Sequence, residues 1–251
     1  MADPLTSARM KLQRAEEHHG ELLREHAAFL NRNPYRMLRE NDIARGDQYY
    51  LWRAKVVEHP PYEKWATLIG ECVHSLRATL DHTAYVIVNR ERHVTERCGF
   101  PILEKPESWN STHPDYLPGV SPTVLALVEE LQPYQRQVDR DPLWAVHRLD
   151  IIDKHRRLGL VNSTVEGTTW RAVGGEMLDV EGGVGPFEDG SIVARFKLVP
   201  DEGGQVQMLT EFHFGIALAK GEPGEKSAVL PLLEHFRSYV GGVLALFEPL
   251  L

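Results

Sequence analysis

Cysteine is nearly missing: Cys72 and Cys98 are the two in 251 residues. No disulfide framework can be built from them, and a reducing, cytoplasmic setting is the expectation. Long apolar runs are missing as well, since none approaches the roughly 20 residues a membrane span needs. The opening Met1-Ala2-Asp3-Pro4 is too polar for a signal peptide, so no membrane partner is expected. Positive charge is in deficit. Lys and Arg number 28 against 36 Asp and Glu, a formal net charge of −8. That balance disfavours a broad electrostatic grip on nucleic acid and leaves room only for a local basic patch. There is no Gly-x-Ser-x-Gly elbow, no internal repeat and no low-complexity tract. What is there, 42% hydrophobic and 25% charged residues, is the composition of a folded chain with a sizeable core.

Asp3-Pro4 reads as a helix start, with an acceptor side chain before a proline whose missing N–H costs nothing there. Leu5, Ala8, Leu12, Ala15, His19, Leu22, His26 and Phe29 then recur at steps of three and four, a seam on a helix that ends near Asn33-Pro34. Residues 35–57 read as a hairpin turned through Asn41-Asp42 and Arg45-Gly46-Asp47, the tripeptide being turn chemistry. The strongest helical signal runs from about Tyr62 to about Arg90. At about 100° per residue, Trp65, Ile69, Cys72, Val73, Leu76, Leu80, Ala84 and Ile87 share an apolar arc. The opposite arc gathers Glu71, His74, Arg77, Asp81, His82 and Tyr85. Residues 93–120 read as a long irregular connection. Ser121-Pro122 and Asp141-Pro142 predict helices over 122–131 and 142–157, the second largely buried with a basic last turn before Gly159.

From Leu160 to Leu218 the pattern becomes strand-like, with turns at Glu166-Gly167, Gly174-Gly175, Gly182-Gly183, Asp189-Gly190 and Gly203-Gly204. Alternation of Ile192, Ala194, Phe196 and Leu198 with Val193, Arg195 and Lys197 predicts an antiparallel meander with one buried face. An amphipathic helix over 226–248 follows. The expected fold is therefore α+β: a helical core, a small N-terminal hairpin and a C-terminal antiparallel meander closed by a last helix. The expected organisation is a single composite domain over 1–251, with a mainly helical part to 159 and the sheet over 160–218.

Two constellations carry chemistry. The run Arg77-Ala78-Thr79-Leu80-Asp81-His82 resembles the motif of the HEPN family, helical nucleotide-binding and RNA-cleaving proteins in which a histidine follows an arginine after four to six residues. The resemblance implies metal-independent cleavage at a dimer interface, with His82 moving a proton and Arg77 stabilising phosphate charge. Arg14/His19, Arg53/His59, Arg140/His147 and Arg148/His155 have similar spacing, but only Arg77/His82 lies on the polar arc of a strong helix. Five residues apart on one helix, the two point about 140° apart, so this reading asks for a homodimer with RNA or a nucleotide as partner. Glu71, His74, Asp81, Tyr85 and Lys154 are candidate binding residues. Gly70 to His82, Phe100-Pro101-Ile102, Leu131-Gln132-Pro133-Tyr134 and Asp153-Lys154-His155-Arg156 together also resemble a pattern of uncharacterised bacterial proteins, which implies an order of elements and no activity.

The second constellation is metal-like. Glu16/His19 and Glu71/His74 are Glu-x-x-His pairs at i,i+3, as in bundled di-iron proteins. His19, Glu71, His74, His82, His147 and Asp150 could then hold zinc, manganese or iron. Three functions stand side by side: a HEPN-like ribonuclease or nucleotide-binding protein without cofactor, a helical metal or small-ligand binding protein, and a non-catalytic interaction protein.

Overall fold

The computed structural model describes residues 3–91, 98–164, 169–202 and 204–251. The Glu166-Gly167 turn and Gly203 lie outside the described residues. Helix α1 (Thr6–Leu30) starts where Asp3 accepts the Leu5 N–H at 3.0 Å. All of its seam residues are buried except the half-buried Leu12, and His18 is buried beside them. Strands β1 (Tyr35–Asn41) and β2 (Tyr49–Val56) form the expected hairpin. Helix α2 (Tyr62–Glu91) lies along α1. Ser7 meets His82 near one end and Phe29 meets Trp65 near the other, so the two helices run antiparallel.

The apolar arc of α2 is the centre of the molecule: its eight residues are at most 4% exposed. Burying a Leu or Ile of this arc contributes about 1.5–3 kcal/mol. Thr79 and Thr83, buried beside it, return their hydroxyls to the carbonyls of Ser75 and Thr79 and so leave no donor unmet.

Of the expected irregular connection, residues 93–97 lie outside the described residues, and residues 98–120 are less irregular than expected. A 3-10 turn at Pro106–Ser108 leads into helix α3 (Trp109–Tyr116), with Trp109 buried and stacked on His113. Pro114, which sits inside that helix, hid it in the sequence, since proline removes a helical N–H and normally ends the pattern. Helices α4 (Pro122–Glu130) and α5 (Pro142–His155) begin at the expected prolines. Asp141 caps α5 by accepting from the Leu143 and Trp144 N–H groups, whereas Ser121 makes no side-chain cap on α4.

The β part comprises β3 (Leu160–Thr164), β4 (Thr169–Val173), β5 (Gly175–Gly182), β6 (Gly185–Phe187), β7 (Ile192–Pro200), β8 (Gln207–Glu211) and β9 (Phe214–Leu218). All pairings are antiparallel, in sheets of order β1-β2-β7-β5, β6-β3-β9 and β4-β8. The hairpin is thus not separate: its inner strand β2 pairs with β7, removing an unpaired edge from each. Ala194, Phe196 and Leu198 face inward as the alternation requires, whereas Ile192, at the start of the strand, is exposed. Gly183, at φ +122°, follows β5 because a Cβ there would stand 2.6 Å from the Trp170 ring. Helix α6 (Val229–Phe247) returns to pack on α1, α2, α5 and β9. One apolar cluster joins these parts, from Ala15 through Trp65, Phe187 and Ile216 to Phe247.

Candidate functional site

The polar arc of α2 does not face one place. Arg77 and His82, about 140° apart by helix geometry, go to different neighbours. Arg77 is turned into the fold, with 11% of its side chain exposed. Its Nη2 donates to the Phe100 carbonyl at 2.8 Å and pairs with Asp81 Oδ1 at 2.9 Å. The same Asp81 oxygen accepts the Phe100 N–H at 3.0 Å. Arginine and aspartate thereby clamp both backbone groups of Phe100, and Arg77 does not line the cleft that holds His82. Its Nη1 is buried without a partner, as is Nδ1 of His147. The His147 imidazole is pushed down to about 4, by burial first and by the Arg77 charge second.

Residues of α5 and of the turn after α4 pack around the same region. Gln132, fully buried, accepts the Leu103 N–H and donates to the carbonyls of Pro101 and Val128. Gly70 leaves room for Asp153, whose carboxylate oxygens lie 2.3 Å from where a Cβ would stand. Arg156 grips the buried Glu222 with two hydrogen bonds, and Glu222 also accepts the Gly159 N–H.

Of the six residues of the metal reading, His74 and Asp150 are brought into direct contact, but the six do not converge on one place. His19 lies beside Glu234 of α6, 3.6 Å away, and its Nε2 is buried without a partner. His74 bonds Asp150 at 2.9 Å, and Asp150 in turn holds Lys154 at 2.6 Å. His147 sits near Arg77, and His82 bonds a residue of α1. Among the described residues no group of three or more His, Cys, Asp or Glu side chains is placed to hold a metal ion. The i,i+3 spacing aligned each pair on its own helix, but α1 meets α2 through Ala15 and Cys72, whose thiol donates to the Ala15 carbonyl. Glu71, His74 and Lys154 lie along α5 and away from His82.

His82 belongs to a cleft of about 680 Å³ between the start of α1 and the last turns of α2. Pro4, Val86, Leu251 and the Tyr85 ring provide apolar walls; Ser7, Asp81, His82, Asn89 and Arg90 provide the polar groups. The α2 side follows helical periodicity, with His82, Tyr85, Val86 and Asn89 on one stripe. Ser7 Oγ lies 2.5 Å from His82 Nδ1. Burial lowers the His82 titration, the Lys11 ammonium lowers it further, and Asp81 opposes both. These surroundings favour the neutral imidazole, the form able to accept a proton. Tyr85 is half exposed, and Arg90 donates to the Leu250 carbonyl at the rim. Cys98 also lines the cleft, its thiol pushed up by burial and by Asp81, which makes it a poor nucleophile.

Sequence reasoning placed Asp81, His82 and Tyr85 here and missed Ser7, Asn89 and Arg90. Asn89 stands a heptad after His82 and was legible in principle; Ser7 was not, because it comes from another helix 75 residues away. No helix among the described residues is long and apolar enough to cross a membrane. No family model, curated protein or solved structure matches the chain.

Proposed function

We propose that the chain is a HEPN-like, metal-independent nucleotide-binding or RNA-cleaving protein whose site is the α1–α2 cleft, with His82 as the proton-transferring group. The observation that carries this reading is the placement of the His82 imidazole, held by Ser7, in the wall of a cleft of about 680 Å³, within the range of small-ligand sites. Tyr85 offers a face on which a base can stack, and Asn89 a donor and acceptor for its edge. Arg90, on the same wall, takes the phosphate role first assigned to Arg77, since its guanidinium can grip two phosphate oxygens. A net charge of −8 favours a single nucleotide or a short single strand over a long polyanion. In cleavage, His82 takes the proton of a ribose 2′-hydroxyl as that oxygen bonds phosphorus. The P–O5′ bond breaks and the proton passes to the departing 5′-oxygen. A homodimer through this face of α2 is the arrangement in which a partner's arginine would add to the site, as the HEPN-like reading asks.

The test is nucleotide binding by calorimetry and RNA cleavage, both in EDTA, for the wild type, His82→Ala, Arg90→Gln and Tyr85→Ala. His82→Ala is expected to lose about 10²- to 10⁴-fold in rate while still binding nucleotide. Tyr85→Ala is expected to weaken binding by about 1–3 kcal/mol. A wild type that neither binds a nucleotide nor cleaves RNA overturns the proposal.

A further inference from the structure

We infer that Ser7, in the first turn of α1, is a positioning residue for His82: its hydroxyl accepts the Nδ1–H and so leaves Nε2 bare as the nitrogen that takes the substrate proton. The inference rests on the reading of His82 as the acid–base group and extends it to a second helix. The 2.5 Å Oγ–Nδ1 contact joins residues 75 apart in sequence, both lining the cleft. It is therefore a tertiary contact of the cleft itself and owes nothing to local helix geometry.

The chemistry follows from what a hydroxyl can do. A neutral imidazole carries its proton on one nitrogen, and the partner of that nitrogen decides which one. With Oγ as acceptor, Nδ1 keeps its proton before the reaction and also in the imidazolium that forms once Nε2 has taken the 2′-proton. The hydroxyl need not turn between the two states. The same proton on Nε2 is then available to the departing 5′-oxygen. A carboxylate in this place would hold the same tautomer but would also draw the imidazole toward its charged form. Serine holds the ring without adding charge. Among the described residues, the charged and titratable groups around the ring are Lys11 from α1, Asp81, Tyr85 and Arg90 from α2, and Cys98 beyond it. None of them is placed as a hydrogen-bond partner of Nδ1, which leaves this role to Ser7.

The experiment is two-dimensional long-range ¹H–¹⁵N NMR on the full-length chain, uniformly ¹⁵N-labelled, with His82 assigned by its loss in His82→Gln. At a pH above its titration, the wild-type ring should show a protonated Nδ1 and a bare Nε2. Ser7→Ala should lose that pattern and move toward a protonated Nε2, while Ser7→Thr, which keeps the hydroxyl, should retain it. A wild type with its proton on Nε2, or a Ser7→Ala ring indistinguishable from wild type, overturns the inference. Far-ultraviolet circular dichroism and thermal melts of each variant establish that the fold is kept, and Ser7→Thr serves as the reference if Ser7→Ala melts early. Because the tautomer is read without substrate, its failure is separable from that of the proposed activity. A correct tautomer in a chain that binds no nucleotide would remove the function and leave the Ser7 contact standing.

Discussion

Replacing Gln132 by leucine tests whether the side chains gathered around Phe100 act as a clamp. The two side chains are close in volume, so Gln132→Leu opens no large cavity and removes only hydrogen bonds. The amide is fully buried. It accepts from Leu103 N–H at 3.0 Å and donates to Pro101 O at 3.0 Å and Val128 O at 2.9 Å. The first two partners belong to the segment that Arg77 and Asp81 hold at Phe100, and the third is a carbonyl at the end of α4 that has no next turn to bond. A buried backbone group left unmet costs about 1–3 kcal/mol. Three such groups, two of them in a half-buried segment, bring the expected loss to about 3–5 kcal/mol. Urea denaturation followed by the fluorescence of the five tryptophans measures it. Gln132→Glu keeps the acceptor for Leu103 but loses both donors and buries a charge, so at neutral pH it should be no more stable than Gln132→Leu. A Gln132→Leu protein within about 0.5 kcal/mol of wild type, the range of ordinary surface changes, would refute the clamp.

Two further outcomes follow from the Arg77–His147 contact. His147 titrates at about 4 in the folded chain against an ordinary 6.5, so the folded state holds it neutral. Its contribution is intact above pH 6.5 and is lost as the pH falls toward 4, about 3 kcal/mol in all. Urea midpoints measured between those limits should fall less steeply for His147→Gln than for wild type. The remaining slope includes His18 and His26, which burial also holds down, and equal slopes would count against the assignment. Arg77→Met should raise the His147 titration measured by NMR, because the second cause of its depression is removed. The same change should destabilise the chain by freeing Phe100, and no rise in the titration would show that burial acts alone.

Local order was legible wherever a periodic pattern meets a chain that needs no distant partner. The α1 seam, the apolar arc of α2, the Asp141 cap and the inward face of β7 all follow from side-chain spacing, because helix and strand geometry are set within a few residues. That rule failed at α3, where Pro114 broke the pattern without ending the helix. Strand pairing was beyond it: alternation says which face of β7 is buried but not that β2 is its neighbour, since backbone hydrogen bonds carry no record of sequence separation. The candidate site divided in the same way. The arc from Glu71 to Tyr85 could be read as rich in chemistry, and the angle between Arg77 and His82 could be worked out from the helix alone. Which neighbours those side chains meet was decided by packing. A buried guanidinium must find acceptors, and Phe100 and Asp81 supplied them, which took Arg77 away from the cleft. His82 faced the start of α1 instead, and only the antiparallel docking of the two helices brought Ser7 to its ring.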